Sequence, residues 1–376
     1  MRLWKKVSGT LKDKTSLCKT RLGRRSTFQN PDIEKAVIKA TSHDESYIDF
    51  RHTQCVFSWI RVSDHYLSPV LWAVSNRLEK THNWVVALKG LMLIHGIFCC
   101  NVPVVQTIGR LPFDLSNFKH GYSGSAKRWS FEAFIRAYYG FLEQKSMFLL
   151  HYSKQLFKDQ NKSKRSVILQ DLVCLQNIQH LLDILLKIKP RYAAKSNMLV
   201  LVAMDCLVVE SFDIYRYICN GITSILDRID SGRITEAKIM LSILEKATAQ
   251  GEKVTQYLDF CRNMGVISAS ECPKIRHISL IDIQDLENFI KFVEEEPKHV
   301  IMEKTSMTEP HESDDPRSGL KTIITEEWVV FEEDDKKPYQ ELPFISLDFP
   351  METRMHNTNP FLDQCHTYEL PDLITF

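Results

Sequence analysis

The chain lacks the marks of several protein classes. Its ten cysteines include no CxxC pair and no spacing of a disulfide framework, and the N-terminus has no apolar run of the signal-peptide kind, so a reducing, cytosolic setting is expected. There is no Gly-rich phosphate loop. Ser42-His43-Asp44 is contiguous rather than convergent, as a catalytic triad would have to be. His95, Cys99 and Cys100 have no second ligand pair nearby, and a buried helix with small sulfur side chains explains them. No enzyme chemistry, cofactor or metal site is therefore expected. The longest apolar stretch, 84–105, is interrupted by Lys89, His95 and Asn101, which fits a buried core helix rather than a membrane span.

What is present is charge sorted by position, under a formal net charge of only +1. The first 25 residues hold nine cations against Asp13 alone, an excess that favours anionic surfaces. Beyond about residue 302 acids outnumber bases roughly three to one, with a dense run at Glu332-Glu333-Asp334-Asp335. Nucleic acid is not the expected partner, because no recognition motif or aromatic platform accompanies the basic end.

Between these ends apolar residues recur at three- and four-residue spacing, and alternating runs are few. Helices are predicted over 32–42, 51–61, 67–79, 83–97, 102–110, 130–158, 167–187, 197–229, 233–249, 252–263 and 280–295. Asn30-Pro31-Asp32, Ser68-Pro69 and Asp230-Ser231-Gly232 punctuate them. So many helices on short links imply an all-α superhelical solenoid, although no strict repeat is present. The expected organisation is a basic arm over 1–26, a helical domain over 27–297 with halves 27–150 and 151–297, and a flexible acidic tail over 298–376.

Two features point to a membrane surface. Lys35 and Lys39 stand one turn apart on a helix face, and Arg51-His52 follows where the next helix should begin. Convergent cations near free helical N–H groups suit a phosphorylated head group: Arg offers a planar fork, Lys a mobile point charge, and His a donor. In the arm, Leu3, Val7, Leu11, Cys18 and Leu22 fall on one side with Trp4 beside them and lysines around, as an interfacial helix requires. The alternatives are a disordered basic arm or a helix docked on the protein.

In the tail, Trp328 and Phe331 precede acids, and Asn359-Pro360-Phe361 stands in a polar setting. Isolated aromatics in an acidic chain suit docking into partner pockets, though Val329 and Val330 also favour an edge strand.

Four blocks in order now carry a resemblance: Lys39-Ala40-Thr41-Ser42-His43, Asn83-Trp84-Val85-Val86-Ala87-Leu88-Lys89-Gly90-Leu91-Met92-Leu93-Ile94-His95, Leu115-Ser116-Asn117-Phe118 and Phe134-Ile135-Arg136-Ala137-Tyr138-Tyr139-Gly140-Phe141-Leu142. The chain resembles the ANTH domain clathrin-assembly proteins, the short plant members in particular. The likeness is densest over about 31–145 and thinner to about 297. It implies a cytosolic adaptor on clathrin-coated pits and vesicles of the plasma membrane, with the Golgi as a further location. Lys35, Lys39, Arg51 and His52 match its pattern for phosphatidylinositol 4,5-bisphosphate. Asp49 stands where the family usually has lysine. The resemblance further implies that Trp328 and Phe331 dock on adaptor-complex appendages, that Asn359, Pro360 and Phe361 are read by EH domains, and that Leu373-Ile374-Thr375-Phe376 is a weak clathrin contact. A VAMP-type SNARE helix on the C-terminal helices is its remaining partner. A scaffold that holds such a helix with weakened lipid selectivity is the alternative reading.

Overall fold

Asn30 starts a helix because its side-chain oxygen accepts the N–H groups of Asp32 and Ile33, with Pro31 supplying the fixed φ of a first helical residue. The computed structural model describes residues 2–22, 30–121, 126–158, 164–191, 194–229, 234–275 and 278–295. Within them lie α1 (Arg2–Leu22), α2 (Pro31–Ala40), α3 (Phe50–Val62), α4 (Leu67–Glu79), α5 (Trp84–Phe98), α6 (Ala126–Lys158), α7 (Lys164–Leu185), α8 (Met198–Leu226), α9 (Ile234–Asn263), α10 (Ile267–Glu271) and α11 (Leu280–Glu295). No strand occurs among the described residues, so the fold is all-α. The tail, including Trp328, Phe331, Asn359, Pro360 and Phe361, lies outside the described residues.

Helices pack on their sequence neighbours: α1 on α2, α2 on α3, α5 on α6, α6 on α7, α7 on α8 and α8 on α9, with α5 also touching α8. This succession is a helical solenoid. Every residue of α5 is buried, which accounts for an apolar run with no solvent face. A side-chain carbon at Gly90 would meet Leu78, and one at Gly96 would meet Phe57, so both glycines permit close helix packing. No helix among the described residues is long and apolar enough to cross a membrane.

Three expectations need correction. The helix expected over 102–110 is a short 3-10 turn, Pro103–Thr107, that ends before Gly109 at φ 67°. The break expected near residue 250 does not exist, and α9 runs through it. Gln250 is fully buried there and donates to the Gln179 carbonyl at 2.7 Å and to Asp183 at 2.8 Å. Those bonds to α7 outweigh the ~1 kcal/mol helix penalty of the following Gly251. Helix α10 was not anticipated, because Asp205, far away on α8, accepts the Ser268 N–H at 2.9 Å.

Candidate functional site

Residues 41–49 connect α2 to α3 and bend sharply between the two cation pairs. A buried lysine shapes this loop. Lys89, 3% exposed in the middle of α5, donates to the carbonyls of Ser42 (3.1 Å), Asp44 (2.7 Å) and Tyr47 (2.6 Å) and to the Ser42 hydroxyl (3.0 Å). Burial pulls its ammonium down to about 8, against the opposing attraction of Asp44, Asp13 and Asp49. The loop carbonyls therefore solvate a charge that no water reaches easily, and the charge sets the path of the loop.

The start of α3 closes the site. Asp49 is the N-cap residue, accepting the His52 N–H at 3.1 Å and the His52 Nδ1 at 2.8 Å. Burial alone would raise the Asp49 carboxyl; hydrogen bonds from the His52 ring and backbone, with the charges of His52 and Lys39, hold it below the ordinary range. His52 thus contacts Asp49 directly, the Lys39 charge acts on the same carboxylate from the end of α2, and Arg51 is exposed between Phe50 and His52. Lys35 is exposed one turn before Lys39 on the same helix face.

One expectation is altered. The N-terminus of α3 does not offer its first N–H groups to a ligand in full: His52 N–H goes to Asp49, and Phe50 N–H goes to the Ile48 carbonyl at 3.1 Å. What the site presents is its side-chain cations, one of which, His52, is already tied to the Asp49 carboxylate. Asp49 also turns the His52 ring, leaving Nε2 as the nitrogen for a ligand.

Helix α1 docks beside this loop by its polar side. Asp13 accepts the His43 N–H at 2.9 Å, pairs with His43 Nδ1 at 2.7 Å and pairs with Arg77 at 2.5 Å. Arg77 also donates to the Thr41 carbonyl at 3.0 Å. Gly9 is buried against His43, where any Cβ would collide. Gly9, Asp13, Ser16, Leu17 and Thr20 share this inner stripe, and Val7 and Leu11 on the other side are 63% and 64% exposed. Leu3 and Trp4 lie in the same helix, but their side chains fall outside the described residues.

A second charged cluster, unseen in the sequence, ties three helices together inside the domain. Lys145 on α6 meets Glu210 on α8 at 2.6 Å, and His95 on α5 meets Glu210 at 3.2 Å and the Tyr138 hydroxyl at 2.7 Å. Burial would raise the Glu210 carboxyl, yet Lys145 and His95 bring it down to about 2. The donor atoms of His95, Cys99 and Glu210 lie within 4.8 Å of one another, but Lys145 already neutralises the carboxylate.

The helical order and its blocks match a family model, the ANTH domain, over residues 32–292. The chain belongs to the ANTH domain family. An Arabidopsis thaliana protein bearing a clathrin assembly name is 41% identical to it, with the whole of both chains aligned. A second of that name series is 38% identical, again across both whole chains. The clathrin coat assembly protein AP180 of Arabidopsis thaliana is 27% identical over 76% of this chain and 49% of its own. Within the matched residues the candidate basic cluster lies on α2 and α3 and the charged junction on α5, α6 and α8, while α1 precedes the match.

Proposed function

We propose that this ANTH protein is a phosphoinositide-binding clathrin adaptor, a linker rather than an enzyme. Lys35, Lys39, Arg51 and His52 hold phosphatidylinositol 4,5-bisphosphate, and the Val7–Leu11 edge of α1, with Leu3 and Trp4, enters the membrane interface. The observation that carries this reading is that Lys39 at the end of α2 and His52 at the start of α3, next to Arg51, both act on Asp49 across a loop held by buried Lys89. Each cation brought to an anionic leaflet contributes ~1 kcal/mol, so four cations and a helix edge suffice for reversible recruitment.

The tail supplies the partners. Trp328 and Phe331 engage adaptor appendages, Asn359, Pro360 and Phe361 engage EH-domain proteins, and clathrin is reached directly or through them. Weak contacts of this kind become stable when made together on one coated pit or vesicle, at the plasma membrane or at the Golgi.

Asp49 favours a second reading, in which head-group selectivity is reduced and the main task is holding a VAMP-type SNARE helix. Its carboxylate already occupies one His52 nitrogen and lies near Lys39. Co-sedimentation with vesicles with and without the bisphosphate separates the two. The adaptor reading expects preference for the bisphosphate, lost in Lys39→Glu with Arg51→Glu. Equal binding to plain anionic vesicles, abolished only by deleting residues 1–25, would replace it with the second reading.

A further inference from the structure

Residues 45–50, which lead in the chain to Arg51 and His52, and the start of α8 line an open cleft of about 300 Å³. Tyr47, Ile48, Phe50, Met198, Leu199 and Val202 line it. Polar links hold its two walls: the Asn197 amide donates to the Glu45 carboxylate at 2.6 Å, and Lys89 anchors the Tyr47 carbonyl. Two lining side chains also meet solvent, Tyr47 at 56% and Met198 at 71% exposure.

We propose that this cleft takes the first part of a lipid acyl chain, so that one phosphoinositide is held by head group and hydrocarbon together. The inference rests on the head-group site above. Its basis is amphiphilic complementarity: Phe50 lines the apolar cleft, and the next two residues are the cations Arg51 and His52. A phosphate joined to hydrocarbon fits that sequence of surfaces, and a free inositol phosphate leaves the apolar part unfilled. The cleft has room for about ten waters' worth of liquid, enough for several methylenes. Each methylene withdrawn from water tightens binding by about fourfold.

The test titrates the full chain with three soluble probes: inositol trisphosphate and the dibutanoyl and dioctanoyl forms of phosphatidylinositol 4,5-bisphosphate. The longer chains are expected to bind at least about tenfold tighter than the shorter ones. Val202→Trp, which fills the cleft, and Met198→Gln, which places an uncharged polar group on an exposed lining residue, should each reduce that difference to about twofold or less. Inositol trisphosphate binding should stay unchanged in both, and Met198→Gln keeps the experiment decisive if Val202→Trp fails to fold. Equal affinity for both chain lengths in the unaltered chain overturns the acyl site and leaves the head-group site standing. Loss of all three probes in the unaltered chain overturns both. Chain-length independence together with binding of a 326–335 peptide, lost in Val202→Trp, overturns the lipid occupant in favour of the protein's own tail.

Discussion

The basic edge and the buried junction use the same residue types to opposite ends. At the junction, buried His95 and largely covered Lys145 both bond to Glu210, so the charges of Lys145 and Glu210 are consumed in joining α5, α6 and α8. At the edge, Lys35 and Arg51 are exposed, and the internal carboxylate of Asp49 meets only part of the local positive charge. Burial therefore separates a charge that builds the fold from one that is available to a ligand. Surface charges contribute little to stability, whereas a buried pair broken on one side is strongly destabilising.

The largest expected effect lies at the junction. Lys145→Met leaves Glu210 buried without its cation and should cost about 3–5 kcal/mol in denaturant unfolding, with head-group binding by the folded fraction unchanged. A loss below about 1 kcal/mol would dissolve the contrast between the regions. Acid should act at the same place. Glu210 is held at about 2 when folded against an ordinary 4.5, so its stabilisation is present above pH 4.5 and fades as pH falls towards 2. Unfolding curves across that window should show roughly 3 kcal/mol more loss in the unaltered chain than in Glu210→Gln.

A smaller effect is expected where the regions meet, at the clamp of α1. Asp13→Ala removes the acceptor for His43 and Arg77 and should weaken docking of α1 by about 1–3 kcal/mol. Hydrogen exchange over residues 2–22 should quicken while exchange in α5 stays slow. The smallest effect separates capping from charge. Asn caps helices as well as Asp, so Asp49→Asn should leave the melting temperature nearly unchanged and tighten inositol phosphate binding by about 1 kcal/mol, near fivefold. No change would mean that Asp49 lies outside the field of the bound phosphate.

Much of the fold was legible because helix periodicity is local. The expected 67–79 segment coincides with α4, and the 280–295 segment coincides with α11. The failures came from distant partners: Gln250 bonding to α7 carried α9 through Gly251, and Asp205 capped α10 from α8. At the site, the placing of Lys35 and Lys39 on one helix, with Arg51-His52 at the start of the next, was legible in the sequence, but the capping role of Asp49 did not enter that reading. An Asp directly before an apolar-periodic run was the available signal. Lys89 was read only as an interruption of an apolar stretch, and a cation in such a run was itself a sign of buried acceptors. The junction was hidden because His95, Lys145 and Glu210 stand on three helices and meet only through packing.

On the proposed function, cations of α2 and α3, on either side of a loop held by Lys89, read a phosphorylated head group. Calorimetric titration of inositol trisphosphate into the unaltered chain and into Lys39→Glu with Arg51→Glu checks this without a membrane. Binding should fall by at least tenfold in the double variant while the melting temperature stays within about 2 °C, as for surface changes. Equal affinity in the two proteins, at equal stability, would contradict it.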